Sequence, residues 1–210
     1  PNVMTYSTLL TKVRTEGEGR AIFAEMSKDG ITPNVVTYNA LLTKVNTLNE
    51  CRAIFADMRS DGIVPNVVSY TTLLDKVRTL DEGRAIFTDM RNDKVRPDDF
   101  AYNTLLAKAQ TLEEARAILD DMRNDKIKPD VVTYSTLLDK VKTLDEGRTI
   151  LADMRNNSIK PEVYAYTTLL NKTQTLGEAR AILGDMRNDK VKPDVVTYTT
   201  LLNKTKTLEE

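Results

Sequence analysis

The sequence predicts an all-α fold, an alpha-solenoid of stacked helix-turn-helix hairpins forming a right-handed superhelix. A tyrosine recurs at a fixed step of 32 residues, as Tyr6, Tyr38, Tyr70, Tyr102, Tyr134, Tyr166 and Tyr198. A proline keeps the same step, as Pro1, Pro33, Pro65, Pro97, Pro129, Pro161 and Pro193. Each period also carries two apolar stripes at helical spacing. A constant period of this size marks a repeat array, in which each repeat packs mainly on its neighbours. Residues 1–210 therefore read as one solenoid of six full repeats and a partial seventh from Pro193.

The second repeat shows how each element arises. Pro33 stops the preceding helix, and Asn34 is a good N-cap for the next. Val35, Tyr38, Leu41, Leu42 and Val45 fall three or four apart, one apolar stripe on a first helix, A. Thr47, with Glu50 three residues on, is a capping box that starts a second helix, B. The pair recurs as Thr15/Glu18, Thr79/Glu82, Thr111/Glu114, Thr143/Glu146, Thr175/Glu178 and Thr207/Glu210. Cys51, Ile54, Phe55 and Met58 line the buried side of B. Asp61-Gly62 ends it, glycine being the common C-terminal cap. Asp93-Lys94 and Asn157-Ser158 stand there in other repeats and are weaker stops.

Composition excludes several functions. The 30 Lys and Arg balance 31 Asp and Glu, for a net charge of -1. Nucleic-acid binding would then rest on a local stripe of charge. The one cysteine, Cys51, excludes a disulfide framework and is compatible with a reducing compartment. The absence of histidine argues against a zinc site and against Ser-His-Asp or Cys-His catalysis. No glycine-rich phosphate loop is present, so neither a cofactor nor an enzyme is expected. No apolar run approaches about 18 residues, so no membrane span is expected. The chain opens at Pro1 without an initiator Met or targeting segment and reads as excised from something longer.

At about 100° per residue, Val36, Asn39, Thr43 and Asn46 share a face beside the apolar stripe. Asn39 suits water there, and its counterpart Thr71 is expected to be exposed with it. Val36 does not suit water, yet its counterparts Met4, Val68, Phe100, Val132, Tyr164 and Val196 are all apolar. They either pack between neighbouring A helices or form a platform on which bases stack.

The succession Pro-Asp-Val-Val-Thr-Tyr, a short polar residue, Thr-Leu-Leu, then Thr-Leu-Asp-Glu, then Phe-x-Asp-Met-Arg resembles the pentatricopeptide repeat (PPR) along the whole chain. Tetratricopeptide repeats carry a Trp in their first helix, and this chain has none. The resemblance implies single-stranded RNA as the partner, one base per repeat, read by two or three side chains. It further implies a role in RNA processing, stability or translation, in a mitochondrion or chloroplast, with no small-molecule substrate. The family reads with the residue after the tyrosine and the residue after the closing proline. In this sequence those pairs are Ser7/Asn34, Asn39/Asn66, Thr71/Asp98, Asn103/Asp130, Ser135/Glu162 and Thr167/Asp194, with Thr199 opening a seventh. The family's base clamp is the second valine, which makes Met4, Val36, Val68, Phe100, Val132, Tyr164 and Val196 the stacking positions. By the family's pairing preferences the array reads A-C-G-U-x-G, with the first repeat at the 5′ end and Ser135/Glu162 left open. The residues also allow a plainer role, since the second member of each pair stands where a helix N-cap belongs. The first member is only ever Asn, Ser or Thr, each short and able to hydrogen-bond a base edge.

The unit is about three residues shorter than the family's usual one. The deletion falls between helix A and the capping-box Thr, where the family's phosphate-contacting lysine lies. Arg14, Arg78, Lys142 and Lys206 share the wheel face of the reading residue and are the weak phosphate candidates. Lys12, Lys44, Lys76, Lys108, Lys140, Lys172 and Lys204 lie about 140° away and read as a solvated or salt-bridged flank. On helix B, Arg20, Arg52, Arg84, Arg116, Arg148 and Arg180 precede Glu25, Asp57, Asp89, Asp121, Asp153 and Asp185 by five residues. That spacing is poor within one helix, so bridges between adjacent repeats are expected. The alternative to RNA is a protein-binding or self-assembling scaffold. Tyr198, Leu201 and Leu202, with no complete helix B behind them, are expected to associate end to end.

Overall fold

The computed structural model describes residues 1–208, with side chains through Asn203. Among them the chain is all-α, thirteen helices without a strand. The A helices are α1 (Val3–Lys12), α3 (Val35–Leu42), α5 (Val67–Lys76), α7 (Asp99–Lys108), α9 (Val131–Lys140), α11 (Val163–Lys172) and α13 (Val195–Leu208). The B helices are α2 (Glu16–Lys28), α4 (Leu48–Ser60), α6 (Leu80–Asn92), α8 (Leu112–Asn124), α10 (Leu144–Asn156) and α12 (Leu176–Asn188). The chain divides into two compact units, Pro1–Lys108 and Ala109–Glu210. In the first, α1, α3, α5 and α7 lie side by side, and α2, α4 and α6 each pack on their own A helix and the next. In the second, α9, α11 and α13 form the row, with α10 and α12 packed against it in the same way.

The local signals act as the sequence reading expects. All six B helices open on the Thr/Glu capping box. Each of these glutamates also accepts the N–H of the residue before the threonine, as Glu82 does from Arg78 at 2.8 Å. Those backbone donors hold the Glu82 carboxylate below its ordinary range. The A helices have a second capping box that the usual signature does not reveal, because its third position holds Thr or Ser in place of Glu or Gln. Asn2/Thr5, Asn34/Thr37, Asn66/Ser69 and Asp130/Thr133 close it. The seventh box differs from expectation: α13 runs on through Thr207, and Glu210 lies outside the described residues. Every B helix from α2 to α12 stops at the same place in its repeat. The next residue but one has positive φ, at Gly30, Gly62, Lys94, Lys126, Ser158 and Lys190. Only the first two are glycines, so the other stops hold a strained backbone against about 1–2 kcal/mol each.

The core lies between A and B rows. Tyr38, Leu41, Leu42 and Val45 are buried from helix A, and Cys51, Ile54, Phe55 and Met58 from helix B. Successive repeats interlock through the tyrosine. Phe23 meets Tyr38 edge-on at 5.0 Å, Phe55 meets Tyr70 at 5.1 Å, and Phe87 meets Tyr102 at 4.9 Å. A Cβ at Gly83 would come within 2.4 Å of the Leu105 side-chain tip of the next repeat, a close approach that the matching Cys51, Ala115 and Ala179 accommodate in other repeats.

The tyrosine hydroxyl also organises the charges. Tyr70 donates to Asp93 at 2.6 Å, and Arg59 of the preceding repeat bonds both, at 3.1 Å to the hydroxyl and 2.8 Å to the carboxylate. Arg155, Tyr166 and Asp189 repeat the triad. Asn157 stands where that aspartate would be in the fifth repeat, and there Tyr134 and Arg123 turn to Asp153 instead. The expected Arg20 to Asp57 bridge does form, at 3.2 Å. The bridges seen again from repeat to repeat are those of Arg59, Arg123 and Arg155, which the spacing argument passes over. The lysine flank is not simply solvated: Lys44 donates to the Thr11 carbonyl at 3.1 Å, near the end of α1.

Burial, and then the bond to Asp153, pushes the Tyr134 phenol up to about 12, and burial with Asp189 does the same for Tyr166. Unfolded tyrosine ionises near 10. The stability from these neutral phenols is therefore complete below pH about 10 and is lost as pH rises through about 12. Alkaline unfolding by circular dichroism should coincide with a steep rise in phenolate absorbance. Gradual titration near pH 10 with the helices intact would contradict the triads.

Candidate nucleic-acid interface

One A-helix position is apolar and exposed to solvent in every repeat. Met4, Val36, Val68, Phe100, Val132, Tyr164 and Val196 are 49% to 74% exposed. That exposure removes the reading in which they pack between A helices. Tyr164 is additionally held, its hydroxyl donating to Asp139 of α9.

The polar pairs take their places from the A-helix caps. Asn34 accepts from the Val36 and Thr37 amides at 2.9 and 3.1 Å. Asn66 accepts from Ser69, Asp98 from Ala101 and Asp194 from Thr197, at 3.1, 2.8 and 2.8 Å. The Thr197 amide, and then its hydroxyl, hold the Asp194 carboxylate below its usual range. In the second repeat the two predicted residues meet, Asn39 Nδ2 donating to Asn66 Oδ1 at 3.2 Å. The Ser69 hydroxyl, a residue the sequence reading did not single out, donates to Asn39 Oδ1 at 2.6 Å.

Hydroxyls at the first position mostly turn back on their helix. Ser7, Thr167 and Thr199 donate to the carbonyl four residues earlier. Thr71 donates to Val68 and is buried, against the exposure its wheel position predicts. Asn103 is half-buried on α7, and Asp130 caps α9. Glu162 is the exception: it occupies the N-cap position of α11 without a side-chain cap bond.

The phosphate candidates require correction. Helices α1, α5 and α9 end at Lys12, Lys76 and Lys140, and the following residue is extended. Arg14, Arg78 and Lys142 therefore lie on the connector and share no wheel face with the reading residue. The shortened A helix is the reason. Asn46 is likewise off the helix, since α3 ends at Leu42. Lys206 lies outside the residues whose side chains are described. Arg78 is exposed and lines, with Arg52 and Lys76, an open concavity of ≈340 Å³. No group of three or more His, Cys, Asp or Glu that could hold a metal occurs among the described residues. Nor is any helix among them long and apolar enough to cross a membrane.

Regular helical hairpins, each with an exposed apolar residue on its A helix, define a helical-repeat protein. The family model for the pentatricopeptide repeat domain matches residues 1–46, 53–110, 85–142 and 149–206, and the chain belongs to that family. A search of curated protein sequences found no match. Among solved structures the chain is similar to the pentatricopeptide repeat protein PPR10 from maize, with 26% identity and a TM-score of 0.73. The likeness covers 96% of this chain and 32% of that one, so the chain spans about a third of that relative's length. A second structure is PPR10 in complex with an 18-nt psaJ RNA element, at 26% identity and a TM-score of 0.55, covering 100% of this chain and 38% of that one. The PPR domain of Arabidopsis thaliana protein-only RNase P 1 in complex with tRNA shares the fold at 15% identity and a TM-score of 0.55, covering 97% and 96%.

Capping separates two otherwise similar positions. Asp194→Ala should destabilise by about 1 kcal/mol, whereas Glu162→Ala should cost under about 0.5 kcal/mol. Urea melts of the two variants beside the parent measure this, and equal losses would contradict the cap assignment.

Proposed function

We propose that this chain binds single-stranded RNA along the exposed ladder, one base per repeat, and so sequesters or presents RNA for processing, stability or translation without chemistry of its own. The observation that supports this most is the coincidence, repeat after repeat, of an exposed apolar side chain with a short polar pair. Bases stack on Val36 and its counterparts, and the pair meets the base edge. The PPR10 structure with an RNA element supports the same ligand class.

The caps account for the second member of the code. Capping occupies the oxygen of Asn34 and of Asn66, leaving Nδ2 to donate. A donor suits N1 of adenine or N3 of cytosine. An aspartate that caps through Oδ1, as Asp98 and Asp194 do, still has a second oxygen to accept from N1–H of guanine or N3–H of uracil. The array then reads A-C-G-U-x-G, with Thr199 beginning a seventh position. Arg14, Arg78, Lys142 and Lys206 serve as sparse phosphate contacts.

A scaffold role is favoured by one observation: Tyr198 and Leu202 on α13 are 54% and 63% exposed. That face meets a second copy of the chain in the scaffold reading. Sedimentation equilibrium should show mass rising with concentration, and a constant monomer mass would dismiss self-association.

Competition binding with RNAs varied at the third nucleotide tests recognition. Affinity should fall as salt rises, by counterion release. Thr71→Asn should move the preferred base from guanine toward uracil, by about 1–3 kcal/mol on the scale of base readout. Because Thr71 is buried, the same change should cost about 1 kcal/mol of stability. Binding that ignores both the base and the salt would leave the scaffold.

A further inference from the structure

The fifth repeat departs from the others at both reading positions. Glu162 is exposed and makes no hydrogen bond through its side chain. The backbone supplies part of the reason: the Ala165 amide, which a cap would receive, bonds the Glu162 carbonyl at 3.1 Å. Alanine alone is not the cause, since Ala101 in the matching position still donates to Asp98 at 2.8 Å. The longer glutamate is what differs. Ser135, unlike Ser7, Thr167 and Thr199, does not turn its hydroxyl back to its own helix and has no partner among the described residues. Both side chains are thus uncommitted in the one repeat whose base the family's pairing leaves open. The two positions can act on one base, since their counterparts Asn39 and Asn66 are in contact at 3.2 Å.

We infer that the fifth repeat selects guanine, with Glu162 accepting through both carboxylate oxygens and Ser135 assisting. This rests on the RNA reading above. Guanine presents N1–H and N2–H side by side, two parallel donors that match a carboxylate's two acceptors in a charge-assisted bidentate pair. A capping aspartate has committed one oxygen to its helix and can supply only the other. Uracil offers a single N3–H between two carbonyl oxygens, so the second oxygen of Glu162 would face another acceptor. Adenine and cytosine place a ring acceptor beside one amino group, and that acceptor repels the carboxylate. The Ser135 hydroxyl donates to O6, the acceptor at the other end of the guanine edge. Two residues past Glu162, the Tyr164 ring, anchored through Asp139, offers a fixed aromatic face that suits a purine.

The test is competition binding of the full chain with four RNAs of the A-C-G-U-x-G series differing only at the fifth nucleotide. Guanine should bind about tenfold more tightly than adenine or cytosine, and about threefold more tightly than uracil. Glu162→Gln keeps the length but replaces one acceptor by a donor. It should lower affinity for the guanine RNA about tenfold and weaken none of the other three. Its melting temperature should not change, because Glu162 makes no side-chain bond in the fold. Equal affinities at the fifth nucleotide, or preference for another base there, would overturn this inference alone if the third nucleotide still selects guanine. Loss of selectivity at both would overturn the RNA reading itself.

Discussion

A tyrosine hydroxyl carried into the seam between repeats must find a partner, and the stacking is arranged around that need. Tyr70 and its counterparts from Tyr6 to Tyr166 are buried almost completely, where an unmade hydrogen bond costs about 1–3 kcal/mol. A carboxylate at the end of the same repeat's B helix accepts the hydrogen bond, as Asp61 does from Tyr38 and Asp93 from Tyr70, and from Tyr70 to Tyr166 an arginine of the preceding repeat completes the set. One residue thus ties together the two helices of its own hairpin and the hairpin before it. The fifth repeat shows how firm the requirement is. With Asn157 in the aspartate's place, Tyr134 and Arg123 use Asp153, one helical turn earlier.

In the proposed reading, recognition and helix initiation share side chains. Asn and Asp are both strong N-caps, so exchanging them leaves the start of helix A nearly unchanged while reversing what the remaining atom offers. This lets the chemistry of the face vary along the array without disturbing the hairpins beneath. The first position has a different constraint, because its hydroxyl is partly satisfied by its own helix, and at Thr71 by burial as well.

Charge is spent largely on structure. Arg59, Arg123 and Arg155 sit in the triads, Arg20 bridges Asp57, and Lys44 caps a neighbouring carbonyl. With a net charge of -1, the connector cations such as Arg78 have little general positive field to support them. In the proposed reading, affinity then depends more on stacking and edge contacts than on long-range attraction.

The sequence by itself determined the period, both helices of each hairpin, the B-helix capping boxes and the apolar stripes. These follow from contacts within about four residues, which spacing reports directly. It also marked the ladder at Val36 and its counterparts, though the wheel left packing and exposure equally open. Tertiary structure decided what lies between repeats. The triads join residues 11 to 34 positions apart, such as Arg59 with Tyr70 and Asp93, and no local pattern distinguishes them from the Arg20 series. The wheel also failed past the end of helix A. It assumes a helix that continues, whereas an extended residue after Lys76 carries Arg78 off that face. Burial of Thr71 and release of Glu162 depend on how closely one A helix approaches the next and how tightly its first turn closes, which only the packed chain sets.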